Sequence, residues 1–504
     1  MNNNNLLSMH NVTKTFGDVI ACNKINFEVR TGEIHAVLGE NGAGKSSLMN
    51  IISGIYIPDS GKMFFEGNQV KFQFPKDSIK LGISMIHQHF KLIETMDVLD
   101  NLLLGRSSTF FLNRQRAVSF FKKKAAEYKI NIDLDKNISD LSMGEKQLVE
   151  ILKVLSMDPK LIIFDEPTTV LTPQEIENLF VVMRNLKSMG ISIIFISHKM
   201  NEVLEITDRI TILRKGKSIV TKDTIAVNTA QICEYMVGQP IDLHIKKVTT
   251  DFTKTILELK GVGCVNEEGT KVLDDVSFSL RKGEILGIAG INGHGQKELC
   301  EVIAGIRHIQ DGAIFFHHKD ITKFSVKEIL REGIQMSFVP EDRLGMGLVP
   351  HMNVVDNVLL KDYYKKGIFL DYSWSEECTK EIVEELDVQT SSVYAPISLM
   401  SGGNIQKVLI GREIKTNPEL LITAYPVRGL DINTTLKIYS LLQSQKQKGV
   451  GIIYIAEDLD SLLELSDRLL VLHHGKVMGI YDPSKITKED VGLMMVGRKL
   501  VKNA

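Results

Sequence analysis

A short glycine-rich stretch near the N-terminus has the residue types and the spacing of a phosphate-binding loop. Residues 39–46, GENGAGKS, fill the pattern GxxxxGK[ST]. In such a loop, backbone N–H groups and the start of the next helix hold phosphates, the lysine neutralises the outer phosphate oxygens and the hydroxyl binds Mg²⁺. The sequence therefore predicts a nucleotide site. Its predicted loop contacts are Gly39, Asn41, Gly42, Gly44, Lys45, Ser46 and Ser47.

Further along the chain, two adjacent carboxylates end one apolar run and a histidine ends the next. Asp165 and Glu166 close LIIFDE, and His198 closes ISIIFISH. Because successive residues of an extended strand face opposite sides, the two carboxylates are expected to do different work. One can hold the Mg²⁺ shell, and the other can polarise the water that attacks the γ-phosphate. His198 stands at a strand end, where parallel α/β folds place ligands, and is expected to contact the γ-phosphate.

The elements around these residues follow an α/β pattern. Apolar, β-branched runs alternate with helical patterns, which indicates a sheet with helices on its faces. The stretch from Pro173 to Gly190 is a predicted helix with proline in its first turn and glycine at its stop. Residues 90–160 are mostly helical and suggest an inserted helical lobe. The helix after the phosphate loop is predicted to place Leu48, Ile51, Ile52 and Ile55 on one face.

The chain repeats its own plan. The stretch TDRITILRKGK, 207–217, returns as SDRLLVLHHGK, 466–476, and other matches keep the same order at similar offsets. Ordered matches at long period are the mark of a tandem duplication. We therefore predict one domain over residues 1–238, a polar linker over 239–255 and a second domain over 256–504.

These motifs occur in the order seen in ATP-binding cassette ATPases, and the chain resembles that family over nearly its whole length, twice. The resemblance also includes Gln88 in MIHQHF and the signature LSMGEKQ at Leu141–Gln147. It implies an α/β fold of tandem P-loop cassettes. Each cassette would have a mixed, mainly parallel sheet core, an antiparallel β edge and an inserted helical lobe. ATP and Mg²⁺ are the implied ligands.

The same resemblance implies roles for individual residues. Each ATP would lie between the phosphate loop of one cassette and the signature helix of the other. Phe16 would stack on adenine, Glu166 and His198 would act in catalysis, and Gln88 would join the metal shell to the helical lobe. Thr172 stands where many relatives have an aspartate, which puts that contact in doubt. The implied Mg²⁺ ligands are Ser46, Gln88 and Asp165.

The second copy has lost the groups that handle the γ-phosphate but keeps an intact signature. The sequence MSGGNIQK retains Ser401, Gly402 and Gly403, whereas residues 142–145 of the first copy read SMGE. If each site is built from both copies, the intact phosphate loop of the first copy pairs with the intact signature of the second. The altered loop then pairs with the altered signature, which gives one complete and one defective site. The replacements are Gln296 for Lys45, Lys297 for Ser46, Ala424 for Asp165, Tyr425 for Glu166, Glu457 for His198 and Glu341 for Gln88.

Composition bears on the cellular compartment and on the classes of partner. Lys+Arg 60 against Asp+Glu 62 gives a net charge of −2 with no basic block, so the sequence does not indicate a nucleic-acid partner. Five scattered cysteines favour a reducing compartment. The N-terminus does not resemble a secretion signal, and no apolar run approaches the roughly 20 residues of a membrane span. A cytoplasmic protein that reaches the membrane only through a partner is expected.

Two fused cassettes, one of them degenerate, resemble the importer ATPases for simple sugars and nucleosides, with details such as HQHF at 87–90 leaning toward nucleosides. This implies two transmembrane permease subunits and a solute-binding protein or lipoprotein as partners, with the chain peripheral on the cytoplasmic side. Met346, Leu348, Val349 and Met352 would meet a permease helix, or else belong to the core. The alternatives are a monosaccharide importer, a soluble tandem-cassette ATPase acting on ribosomes, and a scaffold that binds ATP as a structural ligand.

Overall fold

The structure is a computed structural model. It describes residues 5–17, 19–88, 90–104, 114–169, 171–197, 199–239, 247–248, 254–266, 268–291, 293–332, 334–361, 363, 370–456 and 458–498. By its contacts the chain divides into two compact units, Met1–Asp242 (unit 1) and Leu243–Ala504 (unit 2). His198 and Glu457, for which the sequence makes predictions, lie outside the described residues.

Unit 1 contains two sheets and eight helices among its described residues. Its strands are β1 (Asn5–Phe16), β2 (Val19–Arg30), β3 (Ile34–Leu38), β4 (Ser60–Phe65), β5 (Asn68–Val70), β6 (Ile83–Ile86), β7 (Leu161–Asp165), β8 (Ser192–Ile196), β9 (Arg209–Arg214) and β10 (Lys217–Asp223). Its helices are α1 (Lys45–Ile52), α2 (Pro75–Lys80), α3 (Val98–Leu103), α4 (Arg114–Glu127), α5 (Met143–Leu155), α6 (Pro173–Ser188), α7 (Met200–Ile206) and α8 (Thr229–Val237).

The larger sheet of unit 1 carries the strands that lead into the predicted site. Its order is β10-β9-β3-β8-β7-β6, and every pair is parallel except β9 with β10. All residues of β3 and β8 are buried, as expected for parallel strands covered by helices on both faces. The parallel strands therefore bring their carboxyl ends, and the residues that follow them, to one edge of the sheet.

The smaller sheet is antiparallel, with the order β2-β1-β4-β5. It packs its apolar residues into the same core as α1, which buries Leu48, Met49, Ile51 and Ile52. The predicted place of Ile55 on that helical face is wrong. Because α1 ends at Ile52 and Gly54 turns the chain with φ of 75°, Ile55 falls beyond the helix and is 44% exposed.

Unit 2 repeats this plan. Its strands are β11 (Thr255–Val265), β12 (Lys271–Arg281), β13 (Ile285–Ala289), β14 (Asp311–Phe316), β15 (Lys319–Asp320), β16 (Met336–Val339), β17 (Leu420–Ala424), β18 (Gly451–Ile455), β19 (Arg468–His473) and β20 (Lys476–Tyr481). Its helices are α9 (Gln296–Ile303), α10 (Val326–Arg331), α11 (Val354–Leu359), α12 (Tyr372–Glu385), α13 (Gly402–Lys415), α14 (Ile432–Gln447), α15 (Leu459–Leu465) and α16 (Lys488–Met495).

The two units have the same sheet topology. The sheets of unit 2 run β16-β17-β18-β13-β19-β20 and β12-β11-β14-β15, which matches unit 1 strand for strand. In both units, three helices separate the strand before the lobe from the strand after it: α3, α4 and α5 in unit 1, and α11, α12 and α13 in unit 2. The predicted α/β fold, with a mainly parallel core, an antiparallel sheet and an inserted helical lobe, is confirmed.

Candidate functional site

The phosphate loop of unit 1 joins β3 to α1. Gly44 has φ of 101°, and a Cβ there would lie 2.4 Å from the carbonyl oxygen of Ala21, so only glycine fits. Lys45 Nζ donates to the carbonyl oxygens of Gly39 at 2.6 Å and Glu40 at 3.1 Å, which holds the ammonium against the loop. Around this lysine, Asn41, Gly42 and Ser46 are exposed and Ser47 is half-buried.

Two carboxylates act on this lysine from the end of β7. Burial lowers the pKa of Lys45, while Glu166 first and then Asp165 oppose that change. Asp165 is the last residue of the strand, but Glu166 has φ of 48° and its N–H donates to the carbonyl oxygen of Ile196 at 2.9 Å. The alternation of an extended strand therefore ends at Asp165, and a turned backbone sets the direction of Glu166.

Gln88 is held against Glu166. It follows β6, the strand beside β7, and its Nε2 donates to Glu166 Oε2 at 2.9 Å. The hydroxyl of Ser46, the carboxylate of Asp165 and the amide oxygen of Gln88 form an all-oxygen set, which is the ligand chemistry that Mg²⁺ prefers. The residue types proposed as metal ligands thus fit the ion.

Asp165 is a weaker acid than an ordinary aspartate. Burial, followed by the neighbouring Glu166, raises its pKa from 3.8 to about 6, against the lowering effect of Lys45. The folded protein therefore binds a proton at Asp165 between these values that the unfolded chain has released. Ionising Asp165 costs stability, and this contribution is lost as the pH rises from about 4 to above 6.

Replacing Asp165 by asparagine should consequently stabilise the nucleotide-free protein at pH 7.5. We expect the thermal unfolding midpoint to rise by a few degrees, corresponding to about 1–2 kcal/mol. The gain should shrink as the pH falls through 6 and disappear below the unfolded-state pKa of 3.8, where Asp165 is neutral in both states; the low-pH measurement is therefore made near pH 3. Differential scanning calorimetry of the wild type and Asp165→Asn at the two pH values measures this. A variant less stable than the wild type at pH 7.5 would contradict the charge argument.

An aromatic side chain stands at the end of β1. Phe16 is 44% exposed, and its ring meets Tyr56 edge-on at a centroid distance of 5.1 Å. Lys14 Nζ lies 5.5 Å from the centroid of the same ring. Phe16 thus keeps open ring surface on which an adenine can stack.

At the N-terminus of α5, the signature helix of unit 1, several donors bond to two carboxylates, and one of these carboxylates comes from a distant part of the chain. Ser142 Oγ and the Gly144 N–H both donate to Glu175 Oε1, at 3.0 and 2.9 Å. The Ser142 N–H donates to Glu145 Oε2 at 2.8 Å. Two carboxylates thus accept hydrogen bonds from donors at this helix N-terminus.

Glu175 comes from the start of α6. Its Oε2 accepts from the N–H and the hydroxyl of Thr172, at 3.0 and 3.1 Å, and so closes the capping box of that helix. The pattern T-x-x-E reveals the capping box in the sequence. The second contact, to α5, depends on the packing of two helices that are distant in the chain.

The signature helix of unit 2, α13, has different partners. Ser401 Oγ accepts from the N–H of Asn404 at 3.4 Å and from its Nδ2 at 2.9 Å, and Arg343 donates to the carbonyl oxygen of Gly402. Thr434 occupies the position that Glu175 has in unit 1. In the described part of unit 2, no carboxylate accepts a hydrogen bond from Ser401, Gly402 or Gly403, and the serine and the first glycine are exposed.

The loop of unit 2 that corresponds to the phosphate loop has the same backbone at its glycine but lacks the lysine. Gly295 has φ of 103°, and a Cβ there would lie 2.7 Å from the carbonyl oxygen of Val272. Gln296 replaces the lysine, is 2% exposed, and donates from Nε2 to the carbonyl oxygen of Ile291 at 3.0 Å. An amide that copies one contact of Lys45 supplies no positive charge.

The residue after β17 of unit 2 likewise keeps the backbone conformation of its counterpart in unit 1 but has a different side chain. Tyr425 has φ of 52° and its N–H donates to the carbonyl oxygen of Ile455 at 2.9 Å, which repeats the backbone of Glu166. Glu341, at the position of Gln88, pairs with Arg428. A cavity of about 660 Å³ lies beside these residues, and Lys297, Glu341, Arg343, Tyr425 and Arg428 contribute to its lining.

Comparison with known proteins agrees with these observations. The family model described as ABC transporter matches residues 22–169 and 273–426. A nucleoside import ATP-binding protein of Lactococcus lactis is 40% identical over 99% of both chains. A guanosine import ATP-binding protein of Bacillus subtilis is 38% identical, with 98% of this chain and 97% of the relative covered. A galactose/methyl galactoside import ATP-binding protein of Yersinia pestis is 36% identical over 96% of each chain.

One solved structure is similar over most of the chain. It is an archaeal ribosome recycling factor in complex with a ribosomal stalk protein, with a TM-score of 0.61 over 92% of this chain and 87% of that chain. At 20% identity this likeness concerns the fold alone. No helix in the described residues is both long enough and apolar enough to cross a membrane. The twice-matched family model and the full-length relatives show that the chain belongs to the ABC transporter family, as an ATPase with two ATP-binding cassettes.

Proposed function

We propose that the protein is the ATP-hydrolysing subunit of an importer that takes up nucleosides through partner permeases, with simple sugars as the second candidate cargo. The observation that carries this proposal is the match to a nucleoside import ATP-binding protein, which extends over 99% of both chains at 40% identity. Relatives named for guanosine and for galactose import follow at 38% and 36%. Because the cargo binds elsewhere in an importer, this chain's pocket does not report it.

We propose further that the two cassettes, over 1–238 and 256–504, share one working ATP site. It would form where the phosphate loop of the first cassette meets the signature helix of the second in the ATP-bound assembly. Two contrasts support it. In unit 1 the charges of Glu166 and Asp165 act on the Lys45 ammonium, whereas the equivalent residue of unit 2 is the neutral Gln296. The N-terminus of α5 is taken by Glu175, whereas that of α13 has no carboxylate contact in the described residues.

In the working site, each side chain would have a defined role. The Lys45 ammonium leaves its hydrogen bonds to the loop carbonyl oxygens, binds the β- and γ-phosphate oxygens and neutralises their charge. Glu166 accepts the hydrogen bond of the attacking water, and Gln88 holds the Glu166 carboxylate in place. Phe16 stacks on adenine, and His198 contacts the γ-phosphate. Mg²⁺, bound by Ser46, Asp165 and Gln88, would supply positive charge to the phosphates.

The other composite site, between the loop of the second cassette and the signature helix α5 of the first, would not hydrolyse ATP. A phosphate there would meet Gln296 instead of an ammonium, Tyr425 instead of a carboxylate base, and the Glu175 carboxylate at the facing helix N-terminus. The negative charges of the phosphate and of Glu175 would repel each other. We propose that hydrolysis is confined to the working site and that the second cassette contributes its signature helix.

The proposed partners are two transmembrane permeases and a solute-binding protein or lipoprotein, which would place the chain on the cytoplasmic side of the membrane. Met346, Val349 and Met352 support a permease contact, because these apolar side chains are 38–43% exposed in unit 2. Leu348 does not belong to this surface. It is 3% exposed and packs in the core of unit 2, so of the two alternatives given for it the core one is confirmed and the permease contact is excluded.

Uptake of labelled solutes tests the proposal. A strain lacking the chain and complemented with the wild type is expected to take up labelled guanosine or another nucleoside, whereas complementation with Met346→Glu should restore little uptake. The Met346→Glu protein should still hydrolyse ATP after purification, since Met346 is outside the proposed chemistry. Uptake of galactose but not nucleosides would select the sugar alternative, and uptake of neither class in the complemented strain would refute the import proposal.

A further inference from the structure

Three histidines of unit 2 come together beside the degenerate phosphate loop. His294 lies in the loop itself, and His473 and His474 lie at the end of β19 and in the following turn. One ring nitrogen from each lies within 4.8 Å of the others. The rings of His294 and His474 stack at a centroid distance of 4.0 Å. Nothing in the ATPase chemistry proposed above uses these side chains.

Two of the rings are placed as metal ligands commonly are. His473 Nδ1 lies 2.8 Å from the carbonyl oxygen of Met495. Since a carbonyl can only accept, Nδ1 carries a proton and donates it to this oxygen, which is the usual outer contact of a metal-bound imidazole. His294 Nδ1 is buried and has no hydrogen-bond partner among the described residues. A bound cation would satisfy that nitrogen.

The first unit shows that the fold does not require histidine at these places. The equivalent residues are Ala43, Arg214 and Lys215. The backbone is the same in both units: the N–H of Gly216 donates to the carbonyl oxygen of Ala43 at 3.1 Å, and that of Gly475 to His294 at 2.9 Å. Three histidines have therefore replaced three unrelated residue types around one unchanged loop contact.

We propose that His294, His473 and His474 bind one borderline-soft divalent cation of the Zn²⁺ class, with water as the fourth ligand. Imidazole nitrogens suit Zn²⁺, Ni²⁺ and Cu²⁺, whereas Mg²⁺ prefers oxygen. Nitrogens around tetrahedral Zn²⁺ are about 3.3 Å apart, so the rings must move closer by at most about 1.5 Å. The exposed side chain of His474 gives the site this freedom and a path for the ion. The ion would tie the loop of unit 2 to the β19–β20 turn.

Zinc binding to the intact, tag-free chain tests the proposal. The wild type is expected to bind one Zn²⁺ in calorimetric titration, unaffected by excess Mg²⁺. His474→Lys and His294→Ala, which install the residues of unit 1, should each weaken binding at least about tenfold. Zn²⁺ should raise the unfolding temperature of the wild type and not of His474→Lys. The five cysteines are buried and should not compete in the folded protein.

The control is His351→Ala, which removes an exposed histidine outside the cluster and should leave zinc binding unchanged. Absence of stoichiometric zinc binding by the wild type would overturn the proposal. So would equal affinity in His474→Lys and the wild type, because the ion would then be held elsewhere. Co²⁺ gives an independent readout, since its visible spectrum is expected to indicate tetrahedral coordination in the wild type only.

Discussion

Replacing Glu166 by glutamine is expected to lower steady-state ATP hydrolysis by about 10²–10⁴-fold while ATP binding persists. The amide has the shape of the carboxylate and can still accept the hydrogen bond that Gln88 donates at 2.9 Å. It cannot take a proton from the attacking water. Phosphate release measures the loss, and the rise in unfolding temperature with Mg²⁺ and ATP measures the binding that remains.

The matched control is Tyr425→Phe in the second cassette. Tyr425 occupies the same turned backbone position as Glu166, and phenylalanine keeps its buried ring. If hydrolysis is confined to one site, this variant should turn over ATP at the wild-type rate. Comparable losses in Glu166→Gln and Tyr425→Phe would mean that both strand ends support hydrolysis, and the one-site proposal would fail.

The second large effect is expected from the opposite half of the chain. Ser401→Arg should lower hydrolysis by about 10²-fold or more, because arginine removes the serine hydroxyl and fills the space before the N-terminus of α13. Ser142→Arg makes the same change at the N-terminus of α5. It should have little effect on turnover, since the arginine can pair with Glu175, which already occupies that position.

Phosphate release by the two arginine variants at saturating ATP decides between composite and separate sites. A large loss for Ser401→Arg alone fits a working site completed by the second signature. A larger loss for Ser142→Arg would show that the first cassette uses its own signature helix. Circular dichroism of both variants confirms that the helices have formed, so that misfolding is not read as lost catalysis.

Much of the fold follows from the order of residue types in the chain. Short, mainly apolar strands such as β7 and β8 are typical of parallel strands buried on both faces, and the interval between these two in the chain leaves room for one helix, α6. Pro173 and Gly190 mark the bounds of α6 within two residues. Ile55 shows the limit of periodicity, because the helix ends three residues before it.

Contacts between distant segments could not be read from the sequence in this way. The turned backbone at Glu166 depends on the bond of its N–H to Ile196 in the neighbouring strand. The reach of Glu175 to α5 depends on how two helices pack. The histidine cluster joins residues 179 positions apart, since 473 − 294 = 179, and the individual histidines have ordinary surroundings in the sequence.

The shared backbone at Glu166 and Tyr425 bears on how such cassettes change over time. Both residues have φ near 50° and both bond to the end of the adjacent strand, although only one is an acid. The distortion is therefore a property of the architecture and not a device maintained for hydrolysis. A duplicated cassette can lose or regain hydrolysis through the substitution of a few side chains, without a change in its backbone structure.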